Sequence, residues 1–189
     1  MLVFLDFEAS SLAKHSYPIE VAWVFEDGSR ESHLIRPAPG WEDWDASAEL
    51  IHGISRETLL REGTPHDAIA ARMVEVLAGH DLIASAPSWD GKWLSVLLRT
   101  AGLPRHALRL RDTEEVQRET ARAILRDYVA PENLDNDVEK LRTAAIEALP
   151  KAVTAHRALA DAEAEQARWS AVRNAAQQFR NFSYGYNDA

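Results

Sequence analysis

The sequence predicts an α/β fold, with a mixed sheet of about five strands and helices on both faces. Three observations predict it: apolar strand patterns with a hairpin near the start, two later strands that alternate with helical segments, and helical patterns to the end. The chain has 189 residues, of which 46% are hydrophobic, enough for one domain with a full core. We expect this domain at 1–178 and a polar, aromatic tail at 179–189.

Alternating or continuous apolar residues predict the strands. Asp27-Gly28 lies between two such segments, and this dipeptide favours the tight turn of an antiparallel hairpin. The later strands are separated by a helical pattern, which favours parallel pairing. The loop at 37–45 is not explained by any periodicity, and we expect it to expose Trp41 and Trp44. The predicted strands cover residues 2–9, 19–26, 29–36, 81–86 and 107–112.

Capping residues and helix breakers mark the predicted helices. Thr64 and Pro65 suit the N-cap and the first position of a helix that Gly79 ends. A second helix is expected at 89–101, and the last helix at 156–178. The helical patterns between these two are broken at Pro131 and Pro150.

The composition argues against several classes of protein. No stretch of about 18 apolar residues is present, and the start lacks a basic region and reaches an acid at Asp6. We therefore expect neither a membrane span nor a secretory signal. Because the chain has no Cys, disulfides and thiolate metal sites are excluded. A cytoplasmic protein is the resulting expectation.

The formal net charge of −9 restricts how the protein could bind nucleic acid. Binding that ignores base sequence depends on Lys and Arg neutralising phosphates, so an acidic chain is poorly suited to coating a duplex. Divalent cations held in an acidic cluster would offset part of this charge. Such a protein is expected to hold a strand end rather than a long tract.

Two carboxylates of the first strand point to the same face. Side chains alternate along a strand, so Asp6 and Glu8 share one face while Leu5 and Phe7 share the other. In a buried strand, two ionised carboxylates about 4 Å apart cost roughly 4 kcal/mol at an effective dielectric near 20. A divalent cation or protonation of one carboxyl removes this cost. The alternative is a strand end at which both acids reach water.

Two later segments supply further candidates. Asp90 follows the fourth predicted strand, where open α/β sheets place their ligands; the alternative is an ordinary acid at a helix N-terminus. His156 and Asp161 are five residues apart, so within one helix they would point roughly 140° apart. They can share a site only if His156 lies in the loop before the helix. The alternative is a solvated acidic helix, since Glu163 and Glu165 follow.

Taken together, these residues resemble the DEDDh 3′→5′ exonucleases, the proofreading-exonuclease and ribonuclease T relatives of the ribonuclease H-like fold. The resemblance covers residues 2–169 and has Asp-x-Glu near the start, a mid-chain Asp after a strand, and His-x4-Asp in the last helix. The chain departs from many members at Ser85-Ala86, where His-Asn is common, and at Ser10-Ser11, where Thr-Thr or Thr-Gly is common. Further matching segments are Asp-Phe-Glu-Ala-Ser at 6–10, Pro-Ile-Glu-Val-Ala at 18–22, Ile-His-Gly-Ile-Ser at 51–55 and His-Arg-Ala-Leu-Ala-Asp-Ala at 156–162.

The resemblance implies a two-metal-ion exonuclease that releases nucleoside 5′-monophosphates from single-stranded nucleic acid, with DNA favoured. Asp6, Glu8 and Asp161 would hold one ion, and Asp6 with Asp90 would hold the second. Carboxylate oxygens suit Mg²⁺ or Mn²⁺. His156 would act as the general base that takes a proton from the attacking water.

The resemblance also implies a site for the 3′-terminal nucleotide. Leu12 would act as an apolar wedge, His52 and Ile54 would approach the terminal base, and Trp89 would stack on a base. The alternatives are a helix-end hydrogen bond for His52 and core positions for Ile54 and Trp89. Glu20 corresponds to an acid without a metal role and is expected to be structural. The predicted substrate-binding residues are Ala9, Ser10, Ser11, Leu12, His52, Ile54 and Trp89.

Three other functions stay open at this stage. An exoribonuclease would differ only in its contacts to the 2′-hydroxyl. An accessory subunit would dock a polymerase or another copy of the chain through the tail, which carries Phe179, Phe182, Tyr184 and Tyr186. An aspartyl-phosphate phosphatase would also place Asp6 after an apolar strand, but that chemistry favours a second Asp where this chain has Glu8.

Overall fold

Six strands form one sheet in the computed structural model, which describes residues 1–150 and 156–185. The strand order is β4-β3-β2-β1-β5-β6, so the strand that carries the candidate acids lies inside the sheet. The predicted mixed sheet is confirmed, with one more strand than expected. The strands are β1 Leu2–Ala9, β2 Pro18–Phe25, β3 Arg30–Arg36, β4 Thr64–Pro65, β5 Asp81–Ala84 and β6 Leu110–Asp112.

The two kinds of connection set the strand directions. β1, β2 and β3 pair antiparallel, and Gly28 makes the turn between β2 and β3 with φ 88. β5 pairs parallel with β1, and β6 pairs parallel with β5. The carboxyl ends of β1 and β5 therefore lie at the same edge of the sheet. The sixth strand, β4, is the two-residue segment that was predicted to begin a helix.

Seven helices surround this sheet in the described residues. The two short ones, α1 and α2, were not predicted because neither is long enough to show a helical period; side chains of Asp45 and Ser55 cap them. The last helix continues to Gly185 instead of ending near Gln178. The end of the predicted tail, from Tyr186 to Ala189, lies outside the described residues. The helices are α1 Ala46–His52, α2 Arg56–Glu62, α3 His66–Leu77, α4 Pro87–Thr100, α5 Thr113–Leu125, α6 Pro131–Glu147 and α7 Ala158–Gly185.

Alternation along β1 separates two cores. Val3, Leu5 and Phe7 pack in a buried cluster with side chains of α3 and α4. On the other face Phe4 packs against Trp169 of α7, with ring centroids 5.7 Å apart. Phe4, Asp6 and Glu8 are two residues apart along the strand, so their side chains point to the same face. Asp6 and Glu8 therefore face α7. None of the helices in the described residues is long and apolar enough to cross a membrane.

The two tryptophans of the loop at 37–45 are attached to the core, so Trp41 and Trp44 are partly buried and not exposed as predicted. The ring of Trp41 stacks on Tyr17 with centroids 4.9 Å apart, and Arg56 donates to the Trp41 carbonyl oxygen at 2.8 Å. The Trp44 indole donates to Glu49 at 2.7 Å. Both rings are partly buried because helices that the sequence pattern did not indicate pack against them.

Candidate active site

Three carboxylates converge where β1 meets the first turn of α7. One oxygen from each of Asp6, Glu8 and Asp161 lies within 4.8 Å of the others. Asp90 enters from the first turn of α4, is 2% exposed, and has the strongest electrostatic effect on Asp6 of any charged group. The fold thus gathers four acids that are up to 155 positions apart in the chain, counted from Asp6 to Asp161.

Burial and mutual repulsion make this acidic cluster costly to ionise. Burial raises the pKa of Asp6 to about 9, and the charges of Asp90 and Glu8 add to the increase. Burial, followed by the charge of Asp161, raises the pKa of Glu8 to about 7. Burial also raises the pKa of Asp90 to about 7, although backbone hydrogen bonds at Ala86 and Phe7 oppose it.

The donor set suits a divalent cation. All the donors are carboxylate oxygens, which hard cations such as Mg²⁺ and Mn²⁺ prefer. Among the described residues, Oδ2 of Asp90 is buried without a hydrogen-bond partner. A positive ion would satisfy this oxygen and offset the repulsion that raises the pKa of Asp6. The cluster could therefore bind a metal.

Raising the pH is expected to destabilise the metal-free protein. Because the folded pKa values of Asp6, Glu8 and Asp90 lie above their ordinary values, the folded state binds more protons than the unfolded state. The free energy of unfolding should then fall as the pH rises from about 4 to about 9. Thermal unfolding in chelator at pH 5 and pH 8 measures this fall.

Mn²⁺ provides the matched comparison. It binds the ionised carboxylates, so it should raise the Tm strongly at pH 8 and much less at pH 5, whereas Na⁺ at equal ionic strength should not. If the Tm in chelator were the same at pH 5 and pH 8, the three carboxyl groups could not have the raised pKa values that their burial causes.

Glu20 of β2 fixes the start of α7. Its carboxylate accepts a hydrogen bond from the backbone amide of Ala158 at 3.0 Å, and it is 2% exposed. The Arg157 guanidinium donates to both of its oxygens, the shortest contact being 2.7 Å. An acid that accepts from the first amide of a helix satisfies an otherwise unpaired donor. Glu20 therefore positions Asp161 without joining the cluster, in line with its expected structural role.

His156 lies just before α7, as a shared site with Asp161 requires. It is exposed, and its φ of 44 is the only positive φ of a non-glycine residue in the described chain. Such a conformation is uncommon and disfavoured for residues with a side chain. The positive charge of His156 opposes the effect of burial on the pKa of Asp161, which is raised. His156 is therefore near enough to Asp161 for its charge to affect that carboxyl.

Glu165 is a residue near the cluster that the sequence pattern did not indicate. Instead of lying on a solvated face, it is 6% exposed, and its Oε2 is buried without a hydrogen-bond partner in the described residues. Arg168 pairs with its other oxygen. Burial raises the pKa of Glu165, and its charge raises the pKa values of Asp6 and Asp90. Its spacing of four from Asp161, which puts both on one helix face, was the available signal.

The segment after β1 is held firmly, with one side chain left free. Ser10 and Ser11 are buried, and both hydroxyls donate to Asp43. Lys92 of α4 donates to the Ala13 carbonyl at 2.7 Å. Leu12, by contrast, is 69% exposed. An apolar side chain projecting from a fixed turn suits the predicted wedge, while buried Ala9, Ser10 and Ser11 can offer only backbone groups.

The other predicted substrate residues divide into buried and exposed ones. His52 is buried, and its Nδ1 accepts a hydrogen bond from the Ile54 amide at 3.1 Å. This is the helix-end hydrogen bond that the sequence offered as the alternative to contact with the terminal base. Ile54 packs in a buried cluster, so the structure favours its core alternative over contact with a base. Trp89 is 38% exposed beside Lys92, whose ammonium lies 5.0 Å from the ring centroid. Trp89 is thus available for stacking.

Solved structures resemble this chain across nearly its whole length. The zinc-bound complex of E. coli exonuclease I with single-stranded DNA is 21% identical, with a TM-score of 0.66 over 98% of this chain. E. coli exonuclease I with a dA16 oligonucleotide is 18% identical, with a TM-score of 0.67 over 96%. Exonuclease I from Methylocaldum szegediense is 20% identical, with a TM-score of 0.67 over 97%.

This chain has the fold of exonuclease I. The agreement confirms the predicted α/β fold. The chain spans only 42% of the length of each of these three exonuclease I chains. No protein-family model and no curated protein matches the sequence. At 18–21% sequence identity, the similarity to exonuclease I shows a shared fold and nothing more.

Proposed function

We propose that this chain is a metal-dependent 3′→5′ exonuclease. It hydrolyses the terminal phosphodiester bond of single-stranded nucleic acid, with DNA favoured, and releases nucleoside 5′-monophosphates. The observation that carries this proposal is the convergence of Asp6, Glu8 and Asp161, with Asp90 beside them, on the fold of exonuclease I. Solved exonuclease I structures hold single-stranded DNA, including dA16 and dT13 oligonucleotides, which supports DNA as the substrate.

Two Mg²⁺ or Mn²⁺ ions fit the donors available. Asp6, Glu8 and Asp161 would hold one ion, and Asp6 with Asp90 would hold the other. When bound, the ions supply positive charge that stabilises the attacking and leaving oxygens at phosphorus. Four carboxylates at one place also make the protein depend on cations for stability above neutral pH. The predicted increase of the Tm by Mn²⁺ at pH 8 follows from this dependence.

The side chains around the cluster supply the proton transfer and the orientation of the strand. His156 accepts the proton of the attacking water, and its exposed position before α7 leaves it able to pass that proton to solvent. Leu12 and Trp89, both exposed, provide apolar surfaces against which the terminal bases pack. Glu20 and Arg157 hold the start of α7, so His156 and Asp161 keep their spacing.

A degradation assay tests the proposal. Single-stranded DNA and RNA of matched sequence, labelled at the 5′ end, are incubated with Mg²⁺, Mn²⁺ or chelator. We expect a ladder of labelled products that shorten from the 3′ end, nucleoside 5′-monophosphates as the released product, and no reaction in chelator. Faster degradation of RNA would favour the exoribonuclease. Intact strands under every condition, or immediate release of the label, would reject the proposal.

A protein partner, either a polymerase or a second copy of the chain, remains a prediction. Phe182 of α7 is 80% exposed and would be the side chain available to such a partner. Truncation after Gln178 that abolished association while leaving nuclease activity intact would support the accessory role. Unchanged association would contradict it.

A further inference from the structure

Glu165 lies on α7 between two contacts that join this helix to β1. At one contact, carboxylate oxygens of Asp161 and Asp6 lie within 4.8 Å of each other, and at the other, Trp169 packs against Phe4. Glu165 is one helical turn from each contact and on the same side of the helix. One turn advances about 6 Å and two strand residues advance about 6.6 Å, so α7 and β1 stay in step. This spacing places Glu165 beside Asp6.

The neighbours of Glu165 show on which side of Asp6 it lies. Together with Ser85 and Thr113, it lines a cavity of about 330 Å³. Ser85 follows β5 and Thr113 follows β6, and these parallel strands end at the same edge of the sheet as β1. The helix that carries Asp90 also begins after β5. Glu165 is therefore on the side of Asp6 from which Asp90 enters.

The two oxygens of the Glu165 carboxylate have different surroundings. Oε1 pairs with Arg168, whose side chain is partly exposed. Oε2 is buried and, within the described part of the chain, has no hydrogen-bond partner. Oδ2 of Asp90 is buried without a partner in the same way. Leaving buried acceptors unpaired costs free energy, so a ligand that donates hydrogen bonds between these two acids would stabilise the protein.

Water bound to a divalent cation is such a ligand. Mg²⁺ held by one or two carboxylates usually keeps several of its waters. The proposed ion position at Asp6 and Asp90 offers two carboxylates, so water would supply most of the remaining ligands. Carboxylates commonly accept hydrogen bonds from the ligands of a metal, which orients those ligands and strengthens binding. The unpaired oxygen of Glu165 is suited to this role.

We propose that Glu165 belongs to the ion position at Asp6 and Asp90, where its Oε2 accepts a hydrogen bond from a water bound to the ion. This inference rests on the proposed exonuclease function and adds one carboxylate to its metal centre. Glu165 is a positioning residue, because it acts through the water and does not touch the strand. Its negative charge also makes the ion bind more tightly.

Glu165→Gln tests this role because it keeps the shape of the side chain and removes its charge. The metal-free protein is titrated with Mn²⁺ without substrate, and the free ion is measured by electron paramagnetic resonance. We expect two bound ions in wild type, and in Glu165→Gln an affinity for one of them that is lower by about 10- to 100-fold. The Mn²⁺ concentration that gives half-maximal hydrolysis should rise by a similar factor.

Glu163→Gln is the matched control. It removes the same charge from the same helix, but the side chain of Glu163 is 40% exposed and pairs with Arg30. Both the affinity for Mn²⁺ and the concentration for half-maximal hydrolysis should stay as in wild type.

Arg168→Gln separates this role from a purely structural one. It breaks the ion pair of Glu165 but also removes a positive charge near the cluster, so Mn²⁺ should bind more tightly than in wild type. If Arg168→Gln instead weakened Mn²⁺ binding as Glu165→Gln does, the intact ion pair would be what matters, and the inference would be overturned.

The same titrations distinguish failure of the inference from failure of the proposed function. Wild-type affinity for both ions in Glu165→Gln would overturn the inference and leave the exonuclease proposal standing. A wild-type protein that binds two ions, one of them weakened by Glu165→Gln, but degrades no strand would overturn the proposed function instead. A wild-type protein that binds no Mn²⁺ would overturn both.

Discussion

Asp6→Asn is expected to abolish hydrolysis and, at the same time, to stabilise the metal-free protein at pH 8. Asp6 lies at the centre of the acidic cluster, and its charge is needed for both candidate ion positions. Its loss should lower kcat/KM by a factor on the order of a thousand or more. The amide keeps the shape of the carboxyl, so the loss would arise from charge rather than packing.

The gain in stability follows from the sign of the pKa shift. At pH 8 the unfolded Asp6 is ionised, whereas the folded pKa of about 9 keeps the buried carboxyl mainly protonated. Each pH unit in which only the unfolded form is ionised lowers the free energy of unfolding by about 1.4 kcal/mol per group. Asn removes this proton uptake, so the advantage of Asp6→Asn in chelator should grow from pH 4 to pH 8.

An exposed acid provides the control for Asp6. Asp127→Asn changes the formal charge equally but lies on the surface after α5, so it should alter neither activity nor the pH dependence of the Tm. Initial rates on 5′-labelled DNA and thermal unfolding in chelator measure both effects. Turnover by Asp6→Asn at the wild-type rate would show that Asp6 is not part of the active site. A Tm in chelator at pH 8 equal to that of wild type would contradict the charge repulsion within the cluster.

His156→Ala is expected to lower the rate at pH 7 by about 10²–10⁴-fold, the range typical of a lost general base. Because His156 is exposed and lies outside the group of carboxylates, Mn²⁺ should still raise the Tm of this variant as it does in wild type. The loss should be in kcat, and the rate should recover partly as the pH rises and hydroxide replaces the missing base. His15→Ala, which removes another exposed histidine, is the matched control.

The metal response separates the base from a ligand. If His156→Ala lost its Mn²⁺-dependent increase in Tm to the same extent as Asp161→Ala, His156 would be holding a metal instead of moving a proton. If its rate matched wild type across the pH range, the role of base would belong to another group.

Local patterns in the sequence were enough to predict five of the six strands and the hairpin. Alternation placed Asp6 and Glu8 on one face, and the turn residues Asp27-Gly28 set the register of β2 with β3. The five-residue spacing of His156 and Asp161 required the loop-to-helix boundary that the structure has between them. Short helices such as α1 escaped prediction because one or two turns carry too few residues to show a period.

What depends on distant contacts was settled only by the tertiary structure. Glu20 accepts from the amide of Ala158, 138 residues away, and Glu165 is buried because α7 lies across the sheet beside Asp6. Sequence patterns report the preferences of neighbouring residues, whereas burial and charge pairing depend on which surfaces the whole chain brings together.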